Sequence, residues 1–299
     1  MSMTEILPPE MLTAAGSAWD KAHERQETAS QGFGSAALFG ALDGAVSEAR
    51  EKDGVGFGLG DVVNPKIREQ FKQYLKSYEK IFAGADIKMP TSDELAQGGI
   101  DFGYLAELKE ELPGYDLVVA PLTLPLDSVR KLVSAVVNDT SIRDNPINRS
   151  VESMQTKWRS DGLYVGEDPS CNWDGIMTEL EYDWGLPITN HKGINWTAFL
   201  LLNSDESDSL IPYEQAAQQD MPIVPPTGYI SYQLYRIRQG MMPVDSKQMG
   251  VISSKFTDPE GSTRVLTSFY DGHEHEIKVE FRLIVIVNMH SAKVRPLVG

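Results

Sequence analysis

Two histidines, His273 and His275, are the residues whose type and spacing most directly suggest chemistry. They open the stretch HEHEIKVEFRLIVIV, which is typical of a β-strand. Successive side chains of a strand point to opposite faces, so these imidazoles would share one face and could bind one zinc or iron ion. The site would need a third ligand. Asp271 or His290 could supply it only if the fold brought one of them close to the two histidines. The alternative is that both histidines lie in a solvated turn beside acidic residues.

The acidic segment GEDPSCNWDGIMTELEYDWG, residues 166–185, is a second candidate site. Its six carboxylates lie at positions 167–183, with Trp173 and Trp184 among and beside them. Paired carboxylates between tryptophans could hold a sugar or act as acid and base. Oxygen donors in a tight loop could also coordinate calcium, although the spacing matches no EF-hand loop. The segment is therefore a candidate for either ligand binding or carboxylate chemistry.

Within this segment we expect contact with a ligand or partner at four residues: Trp173, Asp174, Glu179 and Trp184. Tryptophan offers a large apolar face and one hydrogen-bond donor, and it is enriched where binding energy concentrates. Trp173 is expected to be partly exposed, because the neighbouring Asn172, Asp174 and Gly175 are typical of a turn. The alternative is that all the indoles anchor the loop in the core.

The sequence contains no complete catalytic motif. A Gly-x-Ser-x-Gly elbow and a His-Glu-x-x-His helix are both absent. The single cysteine, Cys171, excludes an intrachain disulfide and a cysteine-based zinc site. No cofactor is therefore expected. The enzymatic alternative is a metal- or carboxylate-dependent hydrolase that uses His273, His275 and the acidic residues at 167–183.

The charge of the chain argues against two classes of partner. The formal net charge is −16, from 43 acidic and 27 basic residues. Such a charge repels phosphate backbones and anionic membranes, so we expect neither nucleic acid nor a membrane as a partner. The N-terminal residues lack a basic region followed by an apolar one, and no stretch approaches the ~18 apolar residues that cross a bilayer. This predicts a cytoplasmic protein, or part of an assembly without a conventional signal peptide.

The elements that must position these residues divide the chain into two predicted domains. Residues 1–145 are mainly helical in pattern, and the best helix runs from Pro65 to Gly84 with Asn64 as its cap. A strand is predicted at YDLVVAP, followed by a helix over 126–137 that Asp127 would cap. Turn-forming residues then mark the boundary, after which 146–299 form a β-rich module.

The β-rich module is predicted to contain a central strand at 277–287. The core face is predicted to carry Ile277, Val279, Phe281, Leu283, Val285 and Val287. Both faces become apolar after Arg282, as in a strand covered on two sides. A helix that ends at Gly240 is predicted for ISYQLYRIRQG. The fold class that follows is α+β: a helical N-terminal region and a β-rich C-terminal module with a mixed or antiparallel sheet.

The last seventy residues resemble the closing region of uncharacterised proteins from reduced-genome candidate-phyla bacteria. In those proteins, a Gly-x-x-Pro-[IV]-Asp motif is followed by a strand and then by a final Val-Arg-Pro. The matching residues are Gly240, Pro243, Val244, Asp245, Phe269, Tyr270, Val294, Arg295 and Pro296. This chain lacks the aromatic-rich strand usual in those proteins. The layout of tryptophan-rich loops before such a strand is also distantly similar to a C-type-lectin-like domain. Neither resemblance implies a reaction.

The sequence therefore predicts a non-enzymatic protein. It would bind a protein partner, or assemble with copies of itself as a structural protein, through its β-rich module. Small-residue helices such as 33–46 suit close packing, which motivates the assembly alternative.

Overall fold

The structure is a computed structural model that describes residues 57–139, 141, 162–166, 172–180, 186–204, 210–218, 221–245, 249–253, 255–258, 260–271, 276–283 and 293–299, with the side chains of 178–180 left out. Several positions singled out above lie outside the described residues: the helices predicted before residue 57, Trp184, His273, His275, His290 and the strand end 284–287.

Helix α1 (Pro65–Ala83) confirms the strongest helix prediction. The Asn64 side-chain oxygen accepts hydrogen bonds from the backbone N–H groups of Lys66 (3.0 Å) and Ile67 (3.4 Å), and proline occupies the first turn. Gly84 follows the last helical residue. One face of the helix is buried, through Ile67, Phe71, Tyr74, Tyr78, Ile81 and Phe82. The amphipathic pattern thus sets both the limits of α1 and the face that packs.

Two shorter helices follow, and both begin at side-chain caps. Helix α2 (Ser92–Gln97) has a capping box between Thr91 and Glu94. Helix α3 (Phe102–Glu111) begins after Asp101, whose carboxylate accepts the backbone N–H of Tyr104 at 2.8 Å. The end of α3 leads into the first strand and carries Lys109, which is buried.

The first sheet is antiparallel. Its strands are β1 (Tyr115–Pro121), β3 (Thr189–His191), β4 (Ile194–Leu202) and β11 (Leu297–Val298), with the order β1-β4-β11 and β3 also paired to β4. The predicted strand YDLVVAP is confirmed as β1, and it pairs along its whole length with β4. A strand from each predicted domain therefore lies in one sheet.

The second sheet is mixed. Its strands are β2 (Leu163–Val165), β5 (Ile211–Pro212), β6 (Gly250–Val251), β7 (Phe256–Thr257), β8 (Thr263–Asp271), β9 (Glu276–Leu283) and β10 (Lys293–Val294). The order is β2-β9-β8-β6-β10-β5, with β2 parallel to β9 and β10 parallel to β6. β9 lies between β2 and β8, with Ile277 and Val279 buried. The prediction of a strand with neighbours on both sides is confirmed for the described part, but Leu283, predicted on the core face, is exposed.

Four further α-helices and a short 3-10 helix (Leu59–Asp61) complete the described elements. The α-helices are α4 (Leu126–Val137), α5 (Trp173–Leu180), α6 (Tyr213–Gln218) and α7 (Pro226–Arg238). The helix predicted at 126–137 is confirmed, but the prediction that Asp127 caps it is wrong. Pro125 is the cap position, Asp127 lies in the first turn, and Asp174 Oδ1 accepts the backbone N–H of Leu126 at 2.9 Å. The helix predicted to end at Gly240 is also confirmed as α7, and Gly240 has a φ of +71° that suits glycine.

The described residues therefore form an α+β fold, in which N-terminal helices are followed by antiparallel and mixed sheets. Residues 56–299 form one compact unit, and β1 pairs with β4 across position 145. The boundary predicted between 145 and 146 lies inside this unit. None of the described helices combines the length and apolar character that crossing a membrane requires.

Candidate functional site

A buried carboxylate, Asp116, is the centre of a polar cluster between α1, α7 and β1. Its Oδ1 accepts hydrogen bonds from the Tyr74 hydroxyl (2.6 Å) and from Asn203 Nδ2 (3.3 Å), and its Oδ2 accepts one from the Tyr232 hydroxyl (2.9 Å). Lys109 Nζ lies 3.8 Å from Oδ1. These five residues are called the Asp116 cluster below.

The ammonium group of Lys109 is held by backbone oxygens as well as by the carboxylate. Its Nζ donates to the carbonyl of Pro113 at 2.9 Å and to the carbonyl of Tyr115. Burial lowers the pKa of Lys109, and the charge of Asp116 opposes that shift. Lys109 therefore ties the end of α3 to the start of β1.

The tyrosines of the cluster are donors that keep their protons. Burial raises the pKa of Tyr74 and of Tyr232 well above the usual 10.0, and the negative charge of Asp116 adds to the rise in both. At neutral pH both phenols are protonated, so each hydroxyl can donate to the carboxylate. The cluster is a satisfied hydrogen-bond network at neutral pH.

A stack of tyrosine rings adjoins the cluster. The half-buried ring of Tyr235 lies 5.1 Å from that of Tyr74, 5.4 Å from that of Tyr78 and 6.3 Å from that of Tyr232, measured between centroids. The Tyr78 hydroxyl is buried and has no hydrogen-bond partner among the described residues. These ring contacts join α1 to α7, so the two helices that hold Asp116 also pack on one another.

A groove of about 810 Å³ lies between one face of α1 and the end of α3, and it is called the α1–α3 groove below. Three of its lining side chains are amides, Asn64, Gln70 and Gln73. The groove also reaches the Asp116 cluster. Lys109 lines it directly, and Gln70 Nε2 donates to the hydroxyl of Tyr74 at 3.3 Å. The groove therefore meets the buried network at Lys109 and Gln70.

Trp173, predicted to be partly exposed, is buried, and that prediction is wrong. Only 2% of its surface is accessible, and its Nε1 donates to the backbone carbonyl of Leu124 at 2.9 Å. The turn predicted around it is the first turn of α5, and Ile176 and Met177 of the same helix are also buried. Trp173 thus anchors α5 to the segment before α4.

The other predicted contact residues have different outcomes. Asp174 is exposed, and its carboxylate accepts the first backbone N–H of α4, which gives it a structural role. The backbone of Glu179 lies in α5, but its side chain is outside the described part, as is the whole of Trp184. The part of the segment that is described therefore brings Trp173 and Asp174 to the start of α4.

The metal prediction is not tested by the described residues, because His273 and His275 lie outside them. β8 and β9 pair as an antiparallel hairpin, with Asp271 opposite Glu276, so the two histidines belong to its connection. Where the structure does describe side chains, it contains no group of three or more His, Cys, Asp or Glu residues that could hold a metal ion.

A second buried polar network was not predicted from the sequence. Arg295 Nη2 donates to Asp245 Oδ1 at 2.7 Å, and the Tyr229 hydroxyl donates to Asp245 Oδ2 at 3.0 Å. Gln233 Nε2 donates in turn to the Tyr229 hydroxyl at 2.6 Å. Asp245 and Arg295 lie 50 residues apart in the chain, so no local sequence pattern indicated that they meet.

The Asp116 cluster was also missed, although the sequence contained a signal for it. Asp116 is the second residue of YDLVVAP, a strand whose next residues are apolar and buried. A carboxylate in such a strand must find partners, because an unpaired buried charge costs several kcal/mol. Its partners come from other helices, at positions that the strand itself does not indicate.

Comparisons with known proteins leave these sites without a template: no protein-family model, no curated protein and no solved structure matches this chain.

Proposed function

We propose that the protein is a non-enzymatic binding protein and that the α1–α3 groove receives a segment of a protein partner. The proposal rests on the presence and size of this groove. Its volume of about 810 Å³ lies within the range of roughly 300–1,000 Å³ that is usual for ligand sites. The exposed amide of Gln73 offers both donors and an acceptor to a polypeptide, whereas the Asn64 amide caps α1 and contacts Glu110, and Gln70 donates to Tyr74.

The state of the Asp116 cluster favours binding over catalysis. A catalytic acid or base must exchange a proton with the bound molecule. Here both carboxylate oxygens of Asp116 accept from protein donors, and the phenols beside it have raised pKa values that keep them protonated. Lys109 is held by two backbone carbonyls. The cluster adjoins the groove, and we assign it no chemical step on a bound molecule.

The walls of the groove are held in place before any partner binds. α1 buries one whole face in the core, and α3 is tied to β1 through Lys109. A further contact connects the two helices: Asn64 Nδ2, at the cap of α1, donates to Glu110 Oε1 of α3 at 2.8 Å. A preformed site loses less conformational entropy on binding, so such a groove suits recognition.

The experiment is selection of random short peptides, displayed on phage, against the purified full-length protein. Gln73 is exposed on α1 and lines the groove, so Gln73→Trp should obstruct the groove without disturbing the core. Lys80→Trp is the matched control, since Lys80 is exposed near the end of the same helix and does not line the groove.

Under the proposal, the selected peptides bind the wild type and Lys80→Trp equally, and they bind Gln73→Trp at least about tenfold more weakly. Failure to enrich any peptide, or equal binding to both variants, contradicts the proposal. Sedimentation equilibrium of the three proteins separates self-association. An oligomer that only Gln73→Trp dissociates would mean that a second copy occupies the groove, and the separate-partner proposal would fall.

A further inference from the structure

We propose that Tyr74 and Asp116 form a redox site, at which a diffusing one-electron oxidant converts Tyr74 to a neutral tyrosyl radical while Asp116 takes the phenol proton. The inference goes beyond the proposed function, because it needs nothing in the α1–α3 groove. Three observations support it: a proton acceptor at hydrogen-bond distance, a ring contact that leads towards the surface, and burial of the phenol.

The proton acceptor is the carboxylate of Asp116. A phenol is oxidised more easily when a base receives its proton in the same step, because a charged radical cation is then avoided. The Tyr74 hydroxyl donates to Asp116 Oδ1 at 2.6 Å, a short bond of the charge-assisted kind. Asn203 Nδ2 donates to the same oxygen at 3.3 Å and helps to hold it in place. The proton can therefore cross without movement of either side chain.

The step is balanced between these two residues and the oxidant. The O–H bond of Tyr74 breaks and an O–H bond forms on Asp116 Oδ1, while one electron leaves the Tyr74 ring and reduces the oxidant. Protonation of Asp116 removes the negative charge that lies 3.8 Å from Lys109 Nζ. The ammonium group keeps two partners after that change, the backbone carbonyls of Pro113 and Tyr115. A reductant that returns the electron restores the phenol and the carboxylate.

Tyr232 donates to the same carboxylate but gives up an electron less readily. Its hydroxyl lies 2.9 Å from Asp116 Oδ2, and Arg236 Nη1 donates to that hydroxyl at 3.4 Å. The guanidinium of Arg236 also lies over the Tyr232 ring, 5.8 Å from its centroid. A positive charge at this distance opposes removal of an electron from the ring. The radical is therefore assigned to Tyr74.

Tyr235 connects Tyr74 to the surface. The centroids of the two rings are 5.1 Å apart, and Tyr235 is half-buried whereas Tyr74 is only 4% exposed. Rings in contact allow an electron to pass between them, so an oxidant at the surface can draw the electron from Tyr74 without entering the core. Burial then keeps the radical from coupling with another tyrosyl radical, which is how exposed ones are lost. The arrangement thus favours a long-lived radical.

The test generates a one-electron oxidant, photo-oxidised tris(bipyridine)ruthenium, beside the full-length protein and follows the radical by electron paramagnetic resonance of rapidly frozen samples. Wild type should give a tyrosyl radical that decays at least about tenfold more slowly than any in Tyr74→Phe. Phenylalanine keeps the ring, and circular dichroism checks the fold. Tyr213→Phe is the control, because Tyr213 is buried in a separate apolar cluster, and it should behave as wild type.

Two further variants locate the radical and its proton. Tyr235→Phe keeps the Tyr74–Asp116 pair, so the long-lived radical should remain. Asp116→Asn should abolish it, because an amide does not take up the phenol proton at neutral pH. Asp116→Asn also removes the counter-charge of Lys109, so a measurement on wild type stands beside it: the radical should form more slowly in deuterium oxide than in water.

Several outcomes would overturn the assignment. They are a wild type without a long-lived tyrosyl radical, a radical that survives in Tyr74→Phe or in folded Asp116→Asn, a radical lost only in Tyr235→Phe, and equal rates of formation in the two solvents. None of them bears on the proposed function, because peptide selection does not depend on oxidation of Tyr74.

Discussion

Arg295 and Asp245 form a buried ion pair: Nη2 of the arginine lies 2.7 Å from Oδ1 of the aspartate, and each residue is 2% exposed. Arg295 stands between β10 in the mixed sheet and β11 in the antiparallel sheet. Its Nη1 also donates to the carbonyls of Leu202 (2.8 Å) and Ser204 (2.6 Å), at and beyond the end of β4. The pair therefore lies where the C-terminal segment passes from one sheet to the other.

Removal of either partner of this pair should destabilise the fold strongly. Arg295→Gln or Asp245→Asn leaves an uncompensated buried charge, so each should lower the free energy of unfolding by about 3–5 kcal/mol in a denaturant titration. The double variant should lose less than the sum of the two. Arg282→Gln is the control, because that arginine pairs with Glu280 at a partly exposed position, and its loss should cost about 1 kcal/mol or less. A loss below about 1 kcal/mol in both buried single variants would contradict the prediction.

The tyrosine stack should make the protein sensitive to alkaline pH. Burial raises the pKa of Tyr235 to about 12 from 10.0, and burial raises that of Tyr78 well above the same value. Above pH 10 the unfolded chain loses phenol protons that the folded chain keeps. Each such phenol therefore lowers stability by about 1.4 kcal/mol per pH unit until its folded pKa is reached.

The alkaline prediction is checked by two signals recorded over one pH titration. Tyrosinate absorbance from the buried phenols should rise together with the loss of near-ultraviolet circular dichroism, and Tyr235→Phe should make the fall in unfolding free energy less steep. Stability below pH 10 should be unaffected by these phenols, since both states hold their protons there. Ionisation of every tyrosine before any unfolding would show that the stack is open to solvent.

Asp174 should stabilise the start of α4, although it lies 48 residues from Leu126 in the chain. Asp174→Ala removes the acceptor for the Leu126 N–H and should lower the free energy of unfolding by about 1 kcal/mol, while Asp174→Asn should keep most of it. Asp127→Ala is the control, because Asp127 lies exposed in the first turn and contributes only through the helix dipole, about 0.5 kcal/mol. The measurement is chemical unfolding, and a larger loss in Asp127→Ala than in Asp174→Ala would reverse this assignment.

Trp173 should be inaccessible to a quencher in solution. Its indole is buried and donates to Leu124, so Trp173→Phe should remove emission that acrylamide does not quench and leave the quenchable signal as in wild type. Loss of that donor also leaves a buried carbonyl without this partner, which should cost about 1–3 kcal/mol in unfolding free energy. A reduced quenchable fraction in Trp173→Phe would place the indole at the surface.

Local sequence was sufficient to predict the elements whose signals lie within a few residues. α1 needed only the Asn64 cap, a proline in the first turn and apolar residues at helical spacing, all of which are read along one segment. β9 needed only the alternation that puts Ile277 and Val279 on one face, although the same alternation wrongly placed Leu283 in the core. Each of these signals depends on the backbone period of a single element. It can therefore be recognised in the sequence without knowledge of the rest of the fold.

Burial of Trp173 could not be predicted in this way. Polar and small neighbours at Asn172 and Gly175 are as typical of a helix start as of an exposed turn, and the difference depends on what packs against the indole. That neighbour, Leu124, is 49 residues away in the chain. The cap of α4 was missed for the same reason, since Asp174 reaches Leu126 from 48 residues away.

The sequence by itself determined the α+β class, the helix and strand periods and the acidic charge, because each is a property of composition or of one local period. Tertiary structure alone decided which polar residues meet. Asp116 lies 42 residues from Tyr74 and 116 from Tyr232, and Asp245 lies 50 from Arg295. A buried charge requires partners, but the sequence does not say which ones, because sheet pairing and helix packing bring them together only in the folded chain.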